Sequence, residues 1–439
     1  MTETLSGWGR FPRLACETVA ADTEAAARAA LAGAPCLIAR GNGRAYGDAA
    51  LNPERTLLMR PLAGVETFDP ATGAIVVRAG TLLADLIALY LPRRWFPPVV
   101  PGTGFVTIGG MIAADVHGKN HHRAGSFGAH LDWIDLLLAS GEVRRCAPDR
   151  DAELFAATCG GMGLTGTILR AAFRMMRVES GLVRAETRRA PDLGAAMDWF
   201  EASADWTYSV AWIDCLAGGA ALGRSVLTRG EHATAAEAPA HPPPRPRRAR
   251  RLGFDFPGFA LNRWSVRAFN ALYYRAGRER TELVDQAPFF HPLDAILDWN
   301  RMYGRAGLFQ YQCVLPLAAS RPGLVALLRR IAAASGASFL SVLKRFGPPV
   351  GRAPGPLSFP MEGYTLALDF RVTAANLKLA ETLDAIVADH GGRLYLAKDA
   401  RMSPAMLRFY PGLDRFRAVR DAVDPDRRFA SALSRRLDL

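Results

Sequence analysis

Residues 41–48 read Gly-Asn-Gly-Arg-Ala-Tyr-Gly-Asp, directly after a short apolar run, Cys36-Leu37-Ile38-Ala39. Two further glycine-rich segments follow, 102–110 (GTGFVTIGG) and 160–166 (GGMGLTG). Glycine reaches φ > 0 and leaves no side chain in the way, so such loops can turn several backbone N–H groups onto one phosphate. Each loop alone reads more simply as a tight turn. Three of them within the first 170 residues point instead to a pyrophosphate-bearing ligand. The run Gly161-Met162-Gly163-Leu164-Thr165-Gly166 matches G-x-G-x-x-G literally, and Glu186 lies at a suitable distance beyond it. The dinucleotide fingerprint needs a strand before the loop and a helix after it. Here Asp151 to Cys159 reads as helix and Thr167 to Met175 alternates as strand, so that reading fails on context.

Outward from the loops, residues 23–33 predict a helix with Asp22 as N-cap and Gly33 as stop. Ile75 to Ala79 predicts a strand, and Leu83, Leu86, Ile87 and Tyr90 share one face of a following helix. Trp133 to Ala139 alternates and turns at Ser140-Gly141-Glu142 into a partner strand from Val143. Residues 229–258, with PPPRPRRARR at their centre, break regular structure and predict a mobile loop within a second domain. Residues 376–389 predict a helix with Leu379, Leu383, Ile386 and Val387 inward. It stops at Gly391-Gly392, and Arg393 to Lys398 predicts a strand. The domain plan read from this pattern is 1–177, then 178–385, with 386–439 returning to the first unit.

A length of 439 residues predicts more than one domain, and the excess of 54 Lys and Arg over 42 Asp and Glu favours an anionic partner. Zinc-finger spacing, RNP-type aromatics and a long basic helix are lacking, so no nucleic-acid partner is expected. Cys16, Cys36, Cys146, Cys159, Cys215 and Cys313 are scattered, which predicts core thiols in a reducing compartment rather than a disulfide framework. The first 20 residues lack a basic-then-apolar signal pattern and no long apolar run follows. The expected location is cytoplasmic, with room for peripheral contact at the inner membrane face. Arg245, Arg247, Arg248, Arg250 and Arg251 would serve either a solvated loop or an anionic lipid surface.

Gln310 and Gln312 alternate within Phe309–Leu315 and share a face, where a pair of amides suits the hydroxyls of a sugar or simply an exposed sheet. His117, in the block HGKNHH at 117–122, can take a proton near neutral pH. His117 and His121 stand at i, i+4, but Gly118 opposes the helix that a metal pair would need, so no metal is expected.

GNGRAYGD, the block TIGGMIAADVHGKNHHRAGSFGAHLDWI at 107–134 and GGMGLTG together resemble the FAD-binding domain of the vanillyl-alcohol-oxidase type. HGKNHH, LYLAKDARMSP at 394–404, PLDAILDWNRMYGRAGLFQYQCVLP at 292–316 and LKRFG at 343–347 are similar to the subgroup that oxidises polyprenyl-phosphoryl ribose. The likeness is weakest at 180–290. It implies an α+β fold, with a two-subdomain FAD-binding domain and a cap domain whose antiparallel sheet lies over the flavin. It implies FAD held by Gly41, Asn42, Gly43, Arg44, Ala45, Tyr46 and Gly47 of the first loop. Gly102, Thr103, Thr107, Ile108, Gly109, Gly110, Ala113, Ala114, His117, Gly118, Ile168 and Tyr395 complete that set. Arg44 stands where several relatives carry a histidine bonded to flavin, which implies non-covalent FAD.

The resemblance places Lys398 between flavin and substrate, where a cation favours hydride transfer. His117 is implied as either base or flavin contact. Lys119, Gln310, Gln312, Lys344, Thr365 and Lys398 are implied for the substrate. In Gly363–Phe370, Ala367 replaces a cysteine beside the flavin and Thr365 replaces an asparagine. The first change implies insensitivity to inhibitors that bond to that cysteine. The implied reaction oxidises the 2′-hydroxyl of a polyprenyl-phosphoryl-β-D-ribose to a ketone, which a separate NADH-dependent short-chain reductase then reduces toward an arabinose donor for cell-wall synthesis. An alditol or aldonolactone oxidase of the same fold, or a flavin-binding scaffold for a reductase, are the alternative readings.

Overall fold

Alternation decides which side of the largest sheet meets water and which meets helices. The computed structural model describes residues 1–238, 249–334, 338 and 340–439. Its eight-stranded sheet is antiparallel throughout. From one edge to the other the strands are Arg280–Asp285, Leu182–Ala190, Ser225–His232, Tyr208–Ile213, Ser341–Phe346, Gly363–Arg371, Leu308–Pro316 and Arg393–Leu394. Along Leu308–Pro316 the side chains Phe309, Tyr311, Cys313 and Leu315 join the apolar core. On the neighbouring strand Tyr364, Leu366, Leu368 and Phe370 do the same. Helices Leu317–Ala333 and Ala374–Asp389 cover that face with Leu324, Leu327, Leu328, Ile331, Leu379, Leu383 and Val387.

Side chains point to opposite faces at successive strand positions. Gln310, Gln312, Thr365, Ala367 and Asp369 therefore occupy the other face, with Gln310 opposite Asp369 and Gln312 opposite Ala367. Lys344 joins them from Ser341–Phe346, opposite Thr365.

Before residue 178 the strands form separate sheets. One has four strands, Thr2–Ser6, Arg13–Ala20, Thr56–Leu58 and Ile38–Arg40, the last three paired in parallel. The other is a five-stranded antiparallel sheet built on Thr167–Arg174, flanked by Ala74–Arg78 and Leu131–Leu137. The fold is α+β, as expected, with helix Leu83–Tyr90 burying Leu83, Leu86, Ile87 and Tyr90.

Several local expectations change. Thr23, not Asp22, caps helix Glu24–Ala32, because its hydroxyl accepts from the Ala26 N–H. The strand predicted at 393–398 ends at Leu394, after which residues 395–400 turn away from the sheet. Tyr395 and Lys398 sit on that turn, and helix Ala374–Asp389 runs through residue 385. Ile134, Leu136 and Leu138 are buried as expected, but so are Asp135 and Leu137 on the opposite face. The 229–258 segment is partly regular: Arg229 to His232 complete a strand, and Arg250–Arg251 pair with Ile296–Leu297. Arg245, Arg247 and Arg248 lie outside the described residues. All six cysteines are free, and only Cys36 is not fully buried.

Candidate active site

The first glycine loop leaves strand Ile38–Arg40 and locks against residues 102–107. Asn42 Nδ2 donates to the Phe105 carbonyl at 2.8 Å. A Cβ on Gly41 would come within 2.2 Å of Thr107 Oγ1, so only glycine permits this approach. Gly43 has φ +62°, in the left-handed region. The Tyr46 N–H donates to the Ala397 carbonyl at 3.0 Å, and the Tyr395 hydroxyl donates to the Ala114 carbonyl at 2.7 Å. The C-terminal turn is thus bolted to both the first loop and the helix Ile108–Ala113.

These elements enclose a cavity of about 850 Å³ with the eight-stranded sheet as its floor. That is large for a ligand pocket. Gly102 borders it, and a Cβ there would meet no atom within 4 Å, so the residue leaves space that a ligand can fill. Arg44 Nε and His117 Nδ1 are buried on the cavity wall without hydrogen-bond partners. The Arg44 guanidinium stacks over the rings of Trp8 and Phe105, at 4.0 and 5.0 Å. Roomy glycine walls and unsatisfied donors fit a pyrophosphate-bearing cofactor such as FAD.

The cavity floor carries buried positive charge. Lys119 and Lys344 are each pushed down to about 7, Lys119 by burial and Lys344 by burial together with Lys398 and Lys119. Lys119 Nζ donates to the Phe289 carbonyl and lies 4.4 Å from the centre of its ring. Lys398, its Nζ 4.0 Å from the Tyr46 ring centre, is lowered to about 8 by burial, a shift that Asp369 opposes. Asp369 is raised to about 7 by burial, against the Gln310 hydrogen bond and Lys398. Gln310 Nε2 donates to its Oδ1 at 2.5 Å, while Oδ2 has no partner.

Beside this pair, Thr365 Oγ1 donates to the Cys313 carbonyl at 2.8 Å and accepts from Gln312 Nε2 at 3.2 Å. The second amide hydrogen of Gln312 faces His117 Nε2 at 3.1 Å. His117 Nε2 is then the acceptor and Nδ1 carries the proton. Burial, with help from Lys344, His121 and Lys398, holds this histidine well below its ordinary value, so it stays neutral.

Residues 14–147 match a family described as FAD binding domain. The chain is 39% identical to decaprenylphosphoryl-beta-D-ribose oxidase of Mycolicibacterium smegmatis, over 100% of this chain and 98% of that relative. The chain belongs to the family of this oxidase. It is an FAD-dependent oxidoreductase. It is also 40% identical to an uncharacterized protein in the mprA 5′ region of Streptomyces coelicolor, over 81% of this chain and 100% of that one. Cytokinin dehydrogenase 4 of Arabidopsis thaliana is similar over a smaller part, 27% identical across 30% of this chain and 25% of its own.

The cofactor and substrate candidates read from the sequence all border the one cavity, except Gly47, Ile108 and Thr365. Gly47 packs on the backbone of Asp399, where a Cβ would overlap the carbonyl. Ile108 is buried in the apolar core, and Thr365 stands behind Gln312. Sequence reading missed Asp369, although a lone acid at an alternate position of an otherwise apolar strand was a usable signal. It also missed the far half of the cavity, walled by Ile296 and by Val210, Trp212, Val226, Phe269 and Tyr273, the last five from the stretch where the family likeness is weakest.

Replacing Gly102 by leucine fills open space without a clash, so the expected outcome is a folded protein that retains FAD at least tenfold less well. Visible absorbance after desalting, with the thermal midpoint of the flavin-free protein as control, measures both. A second expectation follows from Lys344. Its value in the fold lies below that in the unfolded chain, so the unfolded chain binds more protons between about pH 7 and 10. Stability of the flavin-free protein therefore rises with pH across that window, by at most about 1.4 kcal/mol per unit for this lysine. Lys344→Met flattens the rise, as chemical denaturation at several pH values will show.

Proposed function

We propose that the protein oxidises the 2′-hydroxyl of a polyprenyl-phosphoryl-β-D-ribose to the 2′-ketone. The observation that carries this reading is the two-ended cavity: lysines and glutamines at one end, and at the other a corridor walled mainly by aromatic and aliphatic side chains, with Thr187, Thr228 and the ion pair Arg280–Glu282 among them. A sugar phosphate on a long apolar chain has the same two-ended character. The relative from M. smegmatis bears a name with the same substrate class. In this reading residues 1–177 with the C-terminal segment form the FAD-binding unit, and the substrate unit that begins at 178 extends past 385 to include helix Ala374–Asp389 and strand Arg393–Leu394. FAD is held without a covalent bond, since Arg44 supplies no nucleophile at the first loop. A separate NADH-dependent reductase consumes the ketone, and the enzyme meets its lipid substrate at a membrane surface.

FAD, when bound, supplies the acceptor for the hydride from the sugar carbon. The chain's own residues handle charge and the hydroxyl proton. Lys119 and Lys344 face the phosphate as charged donors, and an anion there raises their depressed values and keeps them protonated. Gln310 and Gln312 orient the sugar. His117, with Nε2 occupied by Gln312, positions rather than accepts. Burial pulls Lys398 down and pushes Asp369 up, and each charge opposes the shift of the other, so the two titrate as a linked pair. The uncharged form of Lys398 takes the hydroxyl proton while the carbon's hydrogen leaves with its electron pair as hydride, and the charge of Asp369 favours the cation that forms. The products are the ketone and a charged Lys398.

This mechanism needs Lys398 uncharged at the start. Activity is therefore lost as pH falls through the value of Lys398, which burial lowers to about 8. Asp369→Asn removes the charge that opposes the shift of Lys398, so the acid limb is expected to move to lower pH, with FAD retained. An unchanged acid limb in the pH profile would remove Asp369 from the mechanism.

The direct test adds polyprenyl-phosphoryl ribose to the FAD-loaded enzyme without oxygen. Bleaching of the flavin bands is expected, and Lys398→Ala slows it at least a hundredfold. Bleaching by a free alditol or aldonolactone instead would move the substrate to that class. No bleaching by any sugar would leave a flavin-binding scaffold.

A further inference from the structure

Helix Arg263–Ala276 is anchored on one side and apolar on the wrong one. Asn262 caps it in a reciprocal box with Ser265, and Val266 and Asn270 are buried beneath it. Asn270 Nδ2 donates to Asp214 Oδ1 at 2.7 Å, which fixes the helix on the sheet. On the opposite side Trp264, Ala268 and Leu272 follow one another at i, i+4 and i+8 and are exposed. Trp264 is 76% and Leu272 67% exposed, and nearby Phe259 reaches 78%. Outward faces of helices on water-soluble surfaces are ordinarily polar. Among the described residues, the strongly exposed large apolar side chains lie between Phe254 and Ile296, apart from Met1, Leu89 and Leu317.

Arginines border this patch. Arg267, Arg275 and Arg278 are exposed and form no ion pair among the described residues; Arg250 and Arg251 are exposed on the strand beside Ile296–Leu297, where Arg251 pairs with Asp298 at 3.1 Å. Arg251, Phe269, Tyr273 and Ile296 belong at once to this surface and to the cavity wall. The ring of Tyr273 packs 4.7 Å from that of Trp212 on the cavity floor. The apolar end of the cavity therefore opens on the patch.

We infer that this face docks on an anionic lipid bilayer, with Trp264 and Leu272 entering the headgroup boundary and the arginines meeting lipid phosphates. An apolar helix face with a basic border is the arrangement that binds such surfaces. A second copy of the chain is a poor occupant, since two-fold pairing would set the same arginines against each other. The bilayer docking stands on exposure and charge. Its role as the entry for a lipid-linked sugar rests on the proposed substrate.

The FAD-loaded protein is tested by co-sedimentation with vesicles of phosphatidylcholine, with and without phosphatidylglycerol. Binding is expected with phosphatidylglycerol present and to weaken with salt. It should fall about tenfold or more in Trp264→Glu/Leu272→Glu and, separately, in Arg267→Ala/Arg275→Ala. Analytical ultracentrifugation accompanies it. Absence of vesicle binding, binding by both variants equal to that of wild type, or a wild-type dimer that the variants split would each overturn the inference. Flavin bleaching by the detergent-solubilised substrate is read on the same samples. If vesicles bind but no bleaching occurs, the docking stands and the substrate reading fails. If bleaching persists in variants that bind vesicles as well as wild type, the reverse holds.

Discussion

Positive charge buried under a cavity is the constraint on which the site depends. Lys119, Lys344 and Lys398 all sit where burial opposes their charge, and Asp369 is the carboxylate that opposes the shift on one of them. Such a cluster costs stability in the empty protein and is offset when an anion enters. The fold tolerates it because the three lysines come from three separate elements, each held by contacts that do not involve the charge. Lys119 follows the packed helix Ile108–Ala113, Lys344 lies inside a sheet, and Lys398 sits on a turn tied to Tyr46 and Ala114.

The sheet that carries these charges can do so because its two faces are chemically independent. On Leu308–Pro316 and Gly363–Arg371 every second residue packs against two helices, and that face alone gives the strands their register. A one-residue slip would bury Gln310, Gln312 and Asp369 under Leu327 and Leu383. The apolar face thus positions the polar one, and the polar residues need contribute nothing to stability to stay within bonding distance of each other.

Legibility in the sequence followed the same division. The glycine loops were readable because close backbone approach leaves no substitute for glycine, as Gly41 against Thr107 shows. Gln310 and Gln312 were readable from alternation. Lys398 was placed on a strand end because LYLAK continues the strand pattern, whereas the tertiary bond from Tyr46 to Ala397 pulls the chain into a turn. Asp369 went unread since its partner Gln310 is 59 residues away and pairs with it only once the strands are in register. The apolar corridor was invisible for a related reason. Its walls come from Val210, Trp212, Val226 and Phe269, ordinary core residues in a linear reading, and nothing local says that a space lies between them.

The two departures from the family pattern, Thr365 and Ala367, differ in weight. Ala367 lines the cavity opposite Gln312 and simply widens it there. Thr365 does not touch the cavity, yet it decides how the neighbours are oriented. Its hydroxyl has one hydrogen, spent on the Cys313 carbonyl, so it can only accept from Gln312. That turns the Gln312 amide nitrogen toward His117 and leaves the imidazole proton on Nδ1, which is buried without a partner. An asparagine at this position could offer a carbonyl or an amine to Gln312 and would not impose that order. The substitution therefore keeps the hydrogen-bond chain while fixing its direction, and a neutral, single-tautomer His117 is its consequence.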